Sequence, residues 1–332
     1  MSIYSGDENG LTSALAELRA GGVIGLPTET VYGLAGDGLN EHAVTKIFEV
    51  KGRPRFDPLI LHVSMEYAVG RLARINDDAE RLMRSFWPGP LTLVLPRSSL
   101  VPDIVTAGLD TVAIRCPRHR LTQELLRRFD GPLAAPSANR FGRISPTSAA
   151  DVREELGDSI RVILDGGPCE IGVESTIVMP REDGCFMLRR GGVSPEDMEK
   201  VLGNTPIPAK AQPGVMAPGM LPQHYAPGKK LYLLEEKLTG DARLTPDMGC
   251  LYWSCVKGEP HRTLTPTGDL SEAATRLFKM LRELDASPAE TLICEPVPPV
   301  GLGLAIRDRL ERASSGKATW RDGEWKFYPR EI

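Results

Sequence analysis

Apolar positions along this chain recur with two periods, and the period separates its helices from its strands. From Asn9 to Ala20 the leucines Leu11, Leu15 and Leu18 form an i, i+4, i+7 stripe that stops at Gly21-Gly22, which predicts an amphipathic helix. VIGLPT (23–28) reads as a strand, followed by a glycine-punctuated turn and a helical stretch over 41–51. LILHV (59–63), LTLVLP (91–96), TVAIRCP (111–117) and LAAPSAN (133–139) are short β-type runs bounded by Pro or Gly. VILDGG (162–167), STIVM (175–179) and CFMLRRG (185–191) follow, with little room for helix between the last two. Strands that alternate with helices and then adjoin predict a mixed sheet with helices on its outer side.

Around 204–228 the periodicity stops. NTPIPAKAQPGVMAPGMLPQHYAPG is dense in Pro and Gly and reads as a linker. Beyond it KLYLLE (230–235) and GCLYWSC (249–255) are strand-like. LSEAATRLFKMLREL (270–284) is an amphipathic helix with Asp269 or Ser271 as cap. ETLICEPV (290–297) and GLGLAIRDRLERAS (301–314) continue the alternation, which predicts a small Rossmann-like α/β unit. The expected division is a first α/β domain over 1–206, a linker over 207–228 and a second domain over 229–332.

Composition narrows the function. Basic residues number 40 and acidic 44, a net charge of −4, whereas proteins that bind nucleic acid in bulk are clearly basic. The N-terminal MSIYSGDENG has neither the cationic nor the apolar region of a signal peptide, and no apolar run approaches the ~20 residues of a membrane helix. Six cysteines without a CxxC pair read as reduced thiols, so a cytoplasmic protein without a disulfide framework or a cysteine zinc site is expected. There is no GxxxxGK[ST], GxSxG, HExxH or DxDxDG, and Gly301-Leu-Gly303 lacks the third glycine of a dinucleotide fingerprint. Any nucleotide chemistry must use a less general cradle.

Four polar clusters fall at strand ends. Thr28, Glu29, Thr30 and Tyr32 follow the strand 23–28, where a carboxyl-terminal edge faces a ligand crevice; a capped turn would use the same residues. Lys51, Arg53 and Arg55, held between Pro54 and Pro58, make a stiff positive loop suited to a triphosphate, although cations also suit a helix C-terminus. His62 lies in the next strand, where a hydrogen-bonded core histidine is the ordinary reading. Arg115 inside an apolar strand requires an anion, from the protein or from a ligand. Ser137, Asn139 and Ser145 offer small polar groups to phosphate or ribose. Glu174, Ser175 and Thr176 precede Arg189 and Arg190, and Gly191-Gly192 with Ser194 can cap a helix beginning near Pro195.

Together PTETVYGLAGDG, KGRPRFDPLILHV, WPGPLTLVLP, TVAIRCP, LAAPSANRFGRISPT, GVESTIV and LRRGG resemble the YrdC family over the first ~200 residues. With APGMLPQHYAP the chain resembles the long, two-domain threonylcarbamoyl-AMP synthases over its whole length. The resemblance implies a twisted α/β sheet with a positively charged concave face. It also implies synthesis of threonylcarbamoyl-adenylate from L-threonine, bicarbonate and ATP with Mg²⁺, for the t6A modification of tRNA by a transferase complex. Carried over by position, Lys51 and Arg53 become catalytic. Arg53, Thr111, Ser137, Asn139, Ser145, Arg189 and Tyr225 become ATP contacts. Thr30, His62, Arg115, Ala135 (through its backbone) and Ser175 become threonine contacts. Segment 213–228, with His224 and Tyr225, becomes a candidate lid. One departure is Asp57-Pro58-Leu59, where the family has Asn-Pro-Leu; an Asp cannot donate the amide hydrogen bond, and it could approach a metal ion. The alternative is an RNA-binding module using the same basic surface, against which stand the near-neutral charge and the lack of interleaved aromatics.

Overall fold

A computed structural model describes residues 2–209, 224–238, 243–255 and 257–330. The chain divides into two compact units, Met1–Phe141 with Ser145–Met220, and Gly142–Ile144 with Leu221–Ile332. Most of the proposed 207–228 linker, including the central part of the candidate lid, lies outside the described residues.

The first unit is built on eleven strands: β1 (Ser2–Ser5), β2 (Ile24–Leu26), β3 (Gly33–Asp37), β4 (Ile60–His62), β5 (Leu91–Pro96), β6 (Thr111–Arg115), β7 (Leu133–Ala134), β8 (Val162–Asp165), β9 (Thr176–Arg181), β10 (Gly184–Arg189) and β11 (Ile207–Pro208). They form one mixed sheet in the order β1-β8-β2-β3-β7-β4-β6-β5-β9-β10-β11. Its helices are α1 (Glu8–Arg19), α2 (Glu41–Lys51), α3 (Asp77–Phe86), the single turn α4 (Asp103–Thr106), α5 (Arg120–Phe129), α6 (Ala149–Leu156) and α7 (Pro195–Leu202). The leucine stripe forms α1, capped by Asp7, and the 41–51 stretch forms α2, capped by Asn40. β1 and β3 were not legible in the sequence. Gly33–Asp37 is small and glycine-rich without alternation, and only pairing with β2 and β7 makes it a strand.

The two faces of the sheet differ. Leu61, Leu91, Leu93, Leu95, Val112 and Ile114 point to one side, where Ile47 and Phe48 of α2, Leu82 of α3 and Met198 of α7 complete the core. The alternate positions Ile60, Val94, Ala113, Ile177, Met179 and Leu188 make a separate cluster on the other side, none of them from a helix. By the same two-residue period, His62, Thr92, Thr111 and Arg115 share that face, which α1 and α5 cover at its other end, where Leu11, Leu15, Leu18, Leu125 and Leu126 pack with Ile24, Leu26, Leu133 and Ala135.

In the second unit the strands β12 (Lys230–Leu234), β13 (Met248–Tyr252), β14 (Arg262–Thr263), β15 (Thr291–Cys294), β16 (Gly316–Arg321) and β17 (Glu324–Pro329) run in the order β14-β13-β15-β12-β16-β17. All pairs are parallel except the β16–β17 hairpin. With α8 (Leu270–Ala286), capped by Asp269, and α9 (Leu302–Ala313), this is the Rossmann-like alternation expected, plus a terminal hairpin that was not. Gly301 and Gly303 begin α9, which is the plain reading of that glycine pair.

Gly191 shows how closely the site loops are packed. A Cβ at this position would lie 2.3 Å from the Glu174 carbonyl oxygen and 2.4 Å from the Thr176 nitrogen, both immovable backbone. Thr176 Oγ1 locks the same crossing by donating to Val193 O at 2.7 Å and accepting from Val193 N at 2.9 Å. Ser194 alone caps α7, so Gly191 serves backbone approach rather than the helix cap. We expect Gly191→Ala to cost about 1–3 kcal/mol by overpacking, measured as a fall in the urea midpoint. Gly70→Ala, with nothing near its Cβ, should stay within about 0.5 kcal/mol of wild type.

Candidate functional site

The polar residues of β4, β5 and β6 on this face lie in register. His62 of β4 is paired with Arg115 of β6, which is paired with Thr92 of β5, and Thr92 Oγ1 is 2.7 Å from Ser175 Oγ at the start of β9. β4 and β6 are parallel, so His62 and Arg115 stand at their carboxyl ends, beside Thr92 and Ser175 at the amino ends of β5 and β9. All four side chains are buried.

Arg115 is the centre of the row. One terminal nitrogen donates to Thr30 Oγ1 at 2.8 Å, Nε donates to Gly89 O at 3.3 Å, and the other terminal nitrogen lies 2.9 Å from Glu29 Oε1. The last contact is close as a charge pair but is not aligned as a hydrogen bond, and it leaves both Glu29 oxygens without a directed donor from a side chain. The anion that Arg115 needs is therefore a protein carboxylate, and the charge argument for a ligand carboxylate falls away. Burial alone would push the Glu29 carboxyl up, but the Arg115 guanidinium and the Arg118 backbone N–H outweigh it and hold it below its ordinary value. Thr30 is itself placed by Thr28, whose hydroxyl lies 2.9 Å from Thr30 Oγ1 and donates to Val31 O at 2.6 Å. Burial, reinforced by the adjacent Arg115, lowers His62 to about 3, so it is a neutral hydrogen-bonding group. The amide of Ala135 already donates to Ile60 O, so a ligand contact from this backbone would fall to its carbonyl.

Beside the row stands a group of cations. Arg189 donates from Nε to Ser175 O and from a terminal nitrogen to Ser175 Oγ, both at 3.1 Å. Arg53 is held by Asp57 O at 3.2 Å, Pro58 O at 2.9 Å and the Asp57 carboxylate at 2.9 Å. Lys51, the last residue of α2, turns its ammonium onto the carbonyls of Ser137 and Asn139. Burial, then the neighbouring Arg53, drives its pKa well down. Lys51 thus braces the Ser137–Asn139 loop rather than projecting into open space. Ser145 donates to Glu174 Oε1 at 2.6 Å, and Asn139 donates to Arg140 O at 2.7 Å.

A cavity of about 640 Å³ adjoins the same face and is lined by Thr111, Val94, Met179 and Leu188. A larger one, about 1090 Å³, is lined by Gly6, Arg118, Arg120, Asp165 and Glu29. Glu29 is the only residue of the row and its supports to line it; size does not outweigh the convergence of polar groups on the other face.

Tyr225, at φ 66°, packs within the second unit, its ring stacked on Phe278 with centroids 5.6 Å apart and beneath Arg309 at 5.2 Å. It is buried, as are Asn139 and Ser145. Thr92 was missed because it stands inside LTLVLP, a run read for its apolar character; a lone hydroxyl in an otherwise apolar strand is the signal that could have marked it.

The described acidic side chains near the row each face a partner within the protein. Glu29 faces Arg115, Asp57 faces Arg53 and Glu174 accepts from Ser145. Among the described residues no three His, Cys, Asp or Glu converge as a ligand set. Asp57 in particular has both carboxylate oxygens shut away from solvent.

A buried row of hydroxyls, a neutral imidazole and guanidinium, flanked by further cations, defines an α/β protein that binds a small polar ligand beside an anionic one. The chain belongs to the Sua5–YciO–YrdC family, whose model, described as "Telomere recombination", matches residues 16–191. A second model, "Threonylcarbamoyl-AMP synthase, C-terminal domain", matches residues 193–315. Threonylcarbamoyl-AMP synthase of Pyrococcus abyssi is 41% identical over 90% of this chain and 92% of its own length. That of Bacillus subtilis is 37% identical over 92% and 93%. The crystal structure of P. abyssi Sua5 complexed with L-threonine superposes with a TM-score of 0.87, at 38% identity, over 95% of this chain and 98% of that one.

The pH response of the row follows from its charges. Glu29 is depressed below its ordinary 4.5, and His62 to about 3 from 6.5. Both contribute stability that is complete above the unfolded values and is lost as pH falls through them. Wild-type stability should therefore decline from about pH 6.5 downward, with a second loss below pH 4.5. His62→Gln should flatten the upper part in urea titrations across pH 4–8. Glu29→Gln, which strands a buried guanidinium, should cost about 3–5 kcal/mol at pH 7.

Proposed function

We infer that this chain is a threonylcarbamoyl-AMP synthase, making threonylcarbamoyl-adenylate and pyrophosphate from L-threonine, bicarbonate and ATP. The observation that supports this most directly is the in-register row His62–Arg115–Thr92 with Ser175, beside Arg53 and Arg189. Threonine is held by Thr30, His62, Arg115, the Ala135 carbonyl and Ser175. ATP lies against Arg53, Thr111, Ser137, Asn139, Ser145 and Arg189.

In this reaction the threonine amine forms a bond to the carbon of bicarbonate, an amine proton and the bicarbonate hydroxyl leave as water, and one oxygen of the resulting carbamate forms a bond to the α-phosphorus of ATP. The bond from that phosphorus to the bridging oxygen breaks, and pyrophosphate leaves with the electron pair. No protein nucleophile is needed, so the residues act by positioning and by stabilising charge. Arg53 and Arg189 face the charge that grows on the leaving group. Lys51 acts through the loop it braces, keeping Ser137 and Asn139 in place. His62, neutral at working pH, orients threonine by hydrogen bonding rather than by charge. Mg²⁺ enters with ATP as counter-ion to its phosphates, not on a protein ligand set. The product, a reactive mixed anhydride, passes to a transferase that modifies tRNA to t6A, and the setting for both is the cytoplasm. No described helix is long and apolar enough to cross a membrane.

The test is pyrophosphate release by the purified full chain with ATP and Mg²⁺. Release should require both L-threonine and bicarbonate, and Arg53→Ala should slow it by roughly 10²–10³-fold. Release indifferent to threonine would overturn the reading in favour of RNA binding by the same surface. A change under about threefold would remove Arg53 from the chemistry.

A further inference from the structure

The loop Gly52–Pro58 carries a buried carboxylate that the reaction does not use. Asp57 is 1% exposed, and both carboxylate oxygens lack an aligned hydrogen-bond donor. Its close partner is Arg53, at 2.9 Å, and the same guanidinium also donates to Asp57 O. The charged groups that act on Asp57 are Arg53 on its own loop, Lys51 from α2 and Arg189 from β10, all three cationic. A carboxylate for which this surrounding served only as a structural anchor would normally collect directed N–H donors. Here the groups around it are instead cations proposed to brace or contact the nucleotide.

We propose that Asp57 is an internal counter-ion, a positioning residue that occupies the place of phosphate charge on Arg53 while the site is empty and opposes the nucleotide when it arrives. The inference rests on the ATP reading of Arg53 given above. Three buried cations without an anion repel one another, and Asp57 offsets that repulsion in the empty protein. A bound triphosphate supplies the same negative charge more fully, and Asp57 then becomes a like charge beside it.

The opposed effects in the empty and filled states separate this role from a purely structural one. Asp57→Asn keeps the shape of the side chain and removes the charge. With the full chain, the thermal midpoint without ligand should fall, while binding of inorganic pyrophosphate, measured by calorimetry, should tighten by about tenfold. The rise in thermal midpoint on adding pyrophosphate should be larger than in wild type. Asp57→Ser serves as a second neutral variant should the amide not fold, and should shift pyrophosphate affinity in the same direction. If wild type binds pyrophosphate and the neutral variants bind it equally or more weakly, the counter-ion role is overturned and the ATP reading stands. If wild type binds neither pyrophosphate nor ATP, the ATP reading fails and this inference fails with it.

Discussion

Arg115 ends a strand whose other residues are buried apolar or small side chains, and its guanidinium is cut off from water. Such a charge persists only where the fold supplies an anion and directed acceptors. Glu29 supplies the anion, Thr30 and Gly89 the acceptors, and each comes from a different segment. Satisfying this one side chain therefore fixes the β2–β3 loop and the turn before β5 against the end of β6. The position of the candidate threonine pocket follows from that constraint.

The second constraint is the separation of the sheet's faces. At β4, β5 and β6 helices bury one side, and the period of two sends every second residue to the other, which α1 and α5 cover only towards β2 and β7. An apolar floor with a polar row at its end is the form of a ligand site, with shape from the floor and orientation from a few fixed groups. The cations around it are not loose. Lys51, Arg53 and Arg189 are each held by backbone oxygens, which fixes them before any ligand binds. That preorganisation suits a reaction in which the protein contributes no bond.

Among its described residues the second unit carries no comparable group. Its buried Glu295 receives the backbone N–H groups of Leu238 and Trp253, a structural use of a carboxylate. Tyr225 packs between Phe278 and Arg309.

Much of this was legible in the sequence. The leucine stripe of α1, the runs that became β4, β5, β6 and β9, and the alternation of the second unit are local patterns, and local periodicity survives folding. The motifs named the family because they mark backbone and side-chain needs at fixed positions. The tertiary structure decided what local pattern does not carry. Gly33–Asp37 became a strand through its neighbours, and Gly191 was required by a backbone some fifteen residues away rather than by the helix after it. Arg115 found its anion in Glu29, and Tyr225 was drawn into a core, because burial and charge pairing are set by residues distant in sequence. Residue types and order belong to the chain alone; which charge meets which, and which face stays open, is settled only when the sheet closes.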